Sequence, residues 1–304
     1  MTNSRTASRT TARRIGVAGL LVVLSAALTA VVPTPAGAVA AQACGSPLSE
    51  AEMRQITELS DTSVLTGSTM QRLEQAVDRH AGLTEILVRH RDRRGLLPLG
   101  LDAVEQAAVM PMQRDPAAFR DPEWAHRISL LLLARFLDAV HAEFTGAPVP
   151  PQWAHYFALA QRCELSAARV AMAGYNAHLS VDLSYALADS RATPDNAPDN
   201  FRIVDAIAGH GGLIVSRTKE VYGGDLGPLW RFYFVGEGLD AVLGEGVGSV
   251  ALLRFADSGA NVFIFANGLA LQDPALAPAA AQEIDLTWRA VDAALEVLTR
   301  LGGL

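Results

Sequence analysis

Apolar residues recur along this chain at intervals of three and four, and strict alternation hardly appears, so the pattern predicts helices from end to end. Residues 66–94 form a charged, periodic stretch with Ser68 placed to cap its start and Gly95 its stop. A second helix is expected over 121–144, opened by Asp121 and Pro122. Residues 128–133, then Phe136, Leu137 and Val140, make it apolar nearly all round, which requires burial. A Gly- and Pro-rich turn over 145–152 leads to a short helix over 153–162 and a long one over 166–187. The polar loop 189–200 repeats Pro-Asp-Asn, which is Asx-turn chemistry leading into a helix cap. Helices follow over 201–222, 229–243, 250–271 and 281–301, and within the third, residues 261–265 read equally as a strand. The expected fold class is all-α: an irregular bundle of about eight helices in a single domain, built around the pair 121–144 and 166–187.

The first residues stand apart from this pattern. Arg5, Arg9, Arg13 and Arg14 precede a nearly unbroken apolar run over 15–32, which Pro33 and Pro35 end before the small residues 36–40. This is the order of a secretory signal peptide, expected over 1–40 and removed to leave domain 41–304 as a secreted protein with no stable membrane anchor. An uncleaved anchor is the competing reading, since the run approaches spanning length. Arg13-Arg14 leaves the choice between the general and the twin-arginine export route open. Losing four arginines moves the formal charge from −7 to −11, the wrong sign for nucleic acid or an anionic membrane. Two cysteines remain, Cys44 and Cys163. Export gives them a compartment in which a disulfide persists, with two separate thiols as the alternative.

The helix over 166–187 carries the candidate chemistry. Gly174, His178, Asp182 and Tyr185 fall at i, i+4, i+8 and i+11, one face of an α-helix. That spacing puts Asp182 within reach of His178, either to orient the imidazole as a general base or to share a metal ion with it. Asn176 lies on another side, free to position a substrate or hold a neighbouring helix. The preceding helix offers Asp138 and His141 at i, i+3, with Arg127 and Arg135 as anion contacts, and Tyr185 is grouped with these as substrate-binding. If the two helices face each other, the four residues His178, Asp182, Asp138 and His141 converge as a divalent-metal site. No metal-binding motif supports this and no cofactor is favoured. The bland alternative is a buried hydrogen-bond network that fixes helix packing. Trp124, Trp153, Trp230 and Trp288 read as core.

The segment Ala173-Gly174-Tyr175-Asn176-Ala177-His178-Leu179-Ser180-Val181-Asp182-Leu183 resembles the signature of an uncharacterised, largely actinobacterial helical family, a domain of unknown function, whose members read Gly-Met-Asn-Ala-His-Ile-Asn-x-Asp-Leu. The resemblance extends to Phe119-Arg120-Asp121-Pro122 with Trp124, to Pro151-Gln152-Trp153 and to residues 200–205, covering about 119–205 and nothing before Gly95. The chain departs from the pattern at Tyr175, where Met is usual, and at Ser180 and Asp205, where Asn is usual. The resemblance implies a helical fold and singles out residues, but implies no reaction. Two functional expectations follow: an exported enzyme acting on a small apolar molecule through His178 and Asp182, with Asn176 assisting; or a non-catalytic binding or structural protein in which these residues lock the core. A metal-dependent hydrolase is the third.

Overall fold

Ser49 and Ser68 open the first two long helices in the same way. Each hydroxyl accepts from the backbone amide three residues on, and Glu52 or Gln71 at that position reaches back to the cap, so the free donors of both helix starts are met. In the computed structural model, which describes residues 42–227 and 247–300 (without side chains for 247–258), these are α1 (Glu50–Ser60) and α2 (Thr69–Arg89). The described residues lie in one unit, Gly37–Leu304. The expected signal peptide over 1–40, the helix over 229–243 and Trp230 fall outside them.

After α2 come α3 (Leu96–Val104), a π-helical turn (Glu105–Val109) and α4 (Met110–Gln113) as one continuous rod. The helix α5 (Pro122–Thr145) starts where Asp121 accepts from the Trp124 amide, and it stops at Gly146, whose left-handed φ of 73° releases the chain without a Cβ penalty. Then follow α6 (Pro151–Ala160), α7 (Ala167–Asn176), a second π turn (Ala177–Asp182) and α8 (Leu183–Asp189). The remaining helices are α9 (Ala197–Gly209), α10 (Gly211–Tyr222), α11 (Val247–Ala270) and α12 (Ala277–Arg300). No strand occurs among the described residues, so the protein is all-α. The stretch 261–265 is helix, and the helix expected over 201–222 starts earlier and breaks at His210, where φ −109° and ψ 8° leave the helical region. The helices α1 and α3 add to the expected set.

The core gathers apolar faces of α2, α3, α5, α6 and α7, with Trp153, Tyr156 and Phe136 wholly buried at its centre. Close packing depends on Gly174, because a Cβ there would lie 2.9 Å from Leu97 Cβ and 3.0 Å from Tyr156 Cε2, so α7 rests directly on α3 and α6. Trp124 and Trp288 are also buried. The segment before α1 is tied down twice. Cys44 and Cys163 form a disulfide, and the Ala43 amide donates to the buried Asp92 carboxylate, which also pairs with Arg94 at 2.6 Å. No described helix is long and apolar enough to cross a membrane.

Candidate functional site

The rod from α7 to α8 is continuous, but its middle is wound one residue per turn wider, and that changes which side chains share a face. In a π turn the amide bonds five residues back, which accommodates one extra residue and rotates everything after it by about 100° relative to an α-helix. His178 lies inside this turn and Asp182 closes it. The two therefore do not form the expected pair. His178 makes no hydrogen bond to any described residue, and its Nδ1 is buried without a partner. Asp182 accepts from Trp153 Nε1 at 2.8 Å and Gln152 Nε2 at 3.0 Å instead.

His178 stands in the wall of an apolar pocket of about 190 Å³, formed by α3, α5, the second π turn, α9, α10 and α11. Leu101, Ile128, Leu132, Leu183, Ile203 and Ile207 are among its apolar lining, and Ser129 and Asn261 line it too. Burial, reinforced by the charge of nearby His80, pushes the imidazole down to about 3, so it is neutral at any ordinary pH. Asn200, at the start of α9, lines the same pocket and its amide has no side-chain hydrogen bond to a described residue. Tyr175 packs on Gly100, where a Cβ would fall on its hydroxyl, and closes the pocket beside Ile214.

Asp182 opens on the other side of the rod, into a cleft of about 540 Å³ between α5, the start of α6 and α12. Burial raises its carboxyl to about 6, against the opposing hydrogen bonds from Trp153 and Gln152. Arg135, Tyr185 and Asp138 line this cleft too. Arg135 pairs with Asp189 and stacks over the Tyr185 ring, and Asp138 accepts from Thr62 Oγ1 at 2.6 Å. Arg127 donates to the Ser190 carbonyl at 3.2 Å, and His141 Nδ1 meets the Thr57 carbonyl at 3.0 Å. The four residues expected to converge do not form one group: Asp138 shares the cleft of Asp182 but bonds Thr62, His141 meets Thr57 on α1, and His178 lies in the other pocket. Asn176 is committed as well. Its Nδ2 donates to the Trp288 carbonyl at 2.9 Å and its Oδ1 accepts from Ser180 at 2.8 Å, which fastens α7 to α12.

A polar group does gather near His178, from His80, Asp102 and Glu105, none of them on the helix that carries His178. His80 on α2 is wholly buried and its Nδ1 meets Glu105 Oε2 at 2.7 Å, Glu105 being the first residue of the other π turn. Burial alone would lower the His80 imidazole, but the Glu105 carboxylate, with Asp102 behind it, turns the shift upwards. Ligating atoms of His80, Asp102 and Glu105 all lie within 4.8 Å of one another, the one such group among the described residues. The signal was present in the sequence. Leu73, Val77, His80, Leu83 and Leu87 follow helical spacing on a stripe that had to be buried.

Fold and site together define an all-helical protein with a small, mostly apolar pocket walled by a histidine that bonds no described residue. Over residues 73–209 the chain is similar to a family of unknown function (DUF5995). That stretch starts well before Gly95 and takes in His80, Asp102, Glu105, His178, Asp182 and Asn200. No curated protein and no solved structure matches the chain.

Proposed function

We propose that this is an exported protein that binds a small, largely apolar molecule bearing one hydroxyl or carbonyl group, held in the His178 pocket with His178 and Asn200 as its polar contacts. The observation that carries this reading is a buried imidazole nitrogen without a partner, His178 Nδ1, in the wall of a mostly apolar pocket that Asn200 also lines. Buried polar groups are almost always satisfied, and leaving one unmade costs about 1–3 kcal/mol. A ligand that meets them recovers that cost and fills the pocket. An apolar cavity of roughly 150 Å³ holds benzene, so a pocket of about 190 Å³ suits a monocyclic or short-chain molecule. Binding is favoured over acid–base catalysis because the Asp182 carboxylate, which a His–Asp pair requires, bonds Trp153 and Gln152. Export is supported by the arginine-led apolar run over 1–40 and by the Cys44–Cys163 disulfide, a bond that persists in oxidising compartments.

The test is a calorimetric titration of the purified protein with 4-ethylphenol and with ethylbenzene, which differ by one hydroxyl. The wild type is expected to prefer the phenol by about tenfold, the worth of one buried hydrogen bond, and His178→Leu to lose that preference while still taking ethylbenzene. Equal affinity for both compounds in the wild type, or no binding of either, contradicts the reading.

A further inference from the structure

The second group of interest lies beside the pocket. Leu101, which lines the pocket, is followed directly by Asp102, and His80 is close enough for its charge to act on the His178 imidazole. We propose that His80, Asp102 and Glu105 bind one divalent transition-metal ion next to the pocket wall that His178 forms.

Three observations support a cation there. The first is the donor set: an imidazole and two carboxylates whose ligating atoms all lie within 4.8 Å. Donors around a common ion at roughly 2.1 Å sit about 3–4 Å apart, so these groups reach it with side-chain adjustments of about an ångström or less. The second is the state of the imidazoles. His80 Nδ1 meets Glu105, while His80 Nε2 and His178 Nδ1 are buried with no hydrogen-bond partner, on side chains exposed by 0 % and 6 %. An ion held by this group would lie on the Nδ1 side of His80, where it replaces the hydrogen bond to Glu105 and takes the imidazole nitrogen and the carboxylate as two of its ligands. The third is charge. Asp102 and Glu105 are half-buried carboxylates held close together beside His80, and a dication balances both. Nitrogen donors beside carboxylates suit Zn²⁺, Mn²⁺ or Fe²⁺ rather than Ca²⁺.

The positions also explain the π turn at Glu105–Val109. Asp102 and Glu105 straddle its start, so the wider winding begins where both carboxylates must face α2. A π turn of this kind is frequent at functional sites. The inference stands independently of the pocket ligand, because the metal is read out alone.

The experiment is titration of the tag-free, chelator-treated full chain with Co²⁺, followed by its visible absorption and by calorimetry. One Co²⁺ per chain is expected, with a ligand-field band, and Asp102→Asn and Glu105→Gln are each expected to weaken binding by tenfold or more. Both carboxylates are partly exposed, so these variants test the site even if His80→Gln fails to fold. Asp138→Asn, at a carboxylate outside the group that accepts from Thr62 instead, is expected to leave Co²⁺ affinity unchanged. Substoichiometric binding overturns the proposal, as does affinity that survives both Asp102→Asn and Glu105→Gln.

Discussion

Single residues carry two separable roles on the same rod. Asn176 uses both ends of its amide, one on Ser180 and one on the Trp288 carbonyl, so it holds α12 against α7. Asn176→Ala is expected to destabilise the protein by about 1–3 kcal/mol, read as a lower denaturation midpoint in urea, with unchanged affinity for 4-ethylphenol once folded. Asp182 is expected to report on pH. Its carboxyl titrates near 6 in the folded protein against 3.8 in the free chain, so the folded state holds the proton more tightly. The stabilisation from that proton is complete below about pH 4 and is lost as pH rises through 6, a loss of about 3 kcal/mol. Asp182→Asn is expected to remove that slope between pH 4 and 6 in urea titrations. An unchanged slope in the variant assigns the effect to another group. His178 was legible from its neighbours in the sequence, but its true companions were not. Spacing on one helix says nothing about His80 and Asn200, which arrive from α2 and α9 by tertiary packing.

At the scale of elements, the long apolar helices were legible because their periodicity and caps agree: Ser68, Asp121 and Ser166 each cap the helix they precede. The π turn over Ala177–Asp182 was not, since one residue of extra winding leaves composition and local propensity unchanged. Its effect is large, because it separates His178 and Asp182 into different cavities. Deleting Leu179, which sits at the pocket's edge with its side chain partly exposed, is expected to return the rod to α-helical register. Far-UV circular dichroism should then stay near wild type while affinity for 4-ethylphenol falls by at least tenfold. Retained affinity would show that the wider turn does not set the pocket. The break at His210 has a plainer cause: Gly209, Gly211 and Gly212 surround it and weaken the helix locally.

Across the whole molecule, α12 and the segment before α1 are drawn in by polar and covalent ties rather than by apolar burial alone. Arg169 and His155 share Asp292 on α12, at 2.7 and 2.9 Å. The Cys44–Cys163 disulfide spans 119 residues. Closing so long a loop in the unfolded chain corresponds to about 5 kcal/mol of chain entropy, so reduction, or Cys44→Ser with Cys163→Ser, is expected to lower the thermal midpoint by several degrees or more. The similarity to the family of unknown function runs from α2 to the end of α9. It therefore includes the π turns, the polar group and most of the pocket lining, while α11 and α12 lie beyond it. The central claim is that His178 meets a ligand in that pocket. The most direct test follows the imidazole nitrogens of the seven histidines by NMR in ¹⁵N-labelled protein as 4-ethylphenol is added. A saturable shift at His178, with the exposed histidines unmoved, is the expected result; binding that leaves the His178 nitrogens unchanged contradicts it.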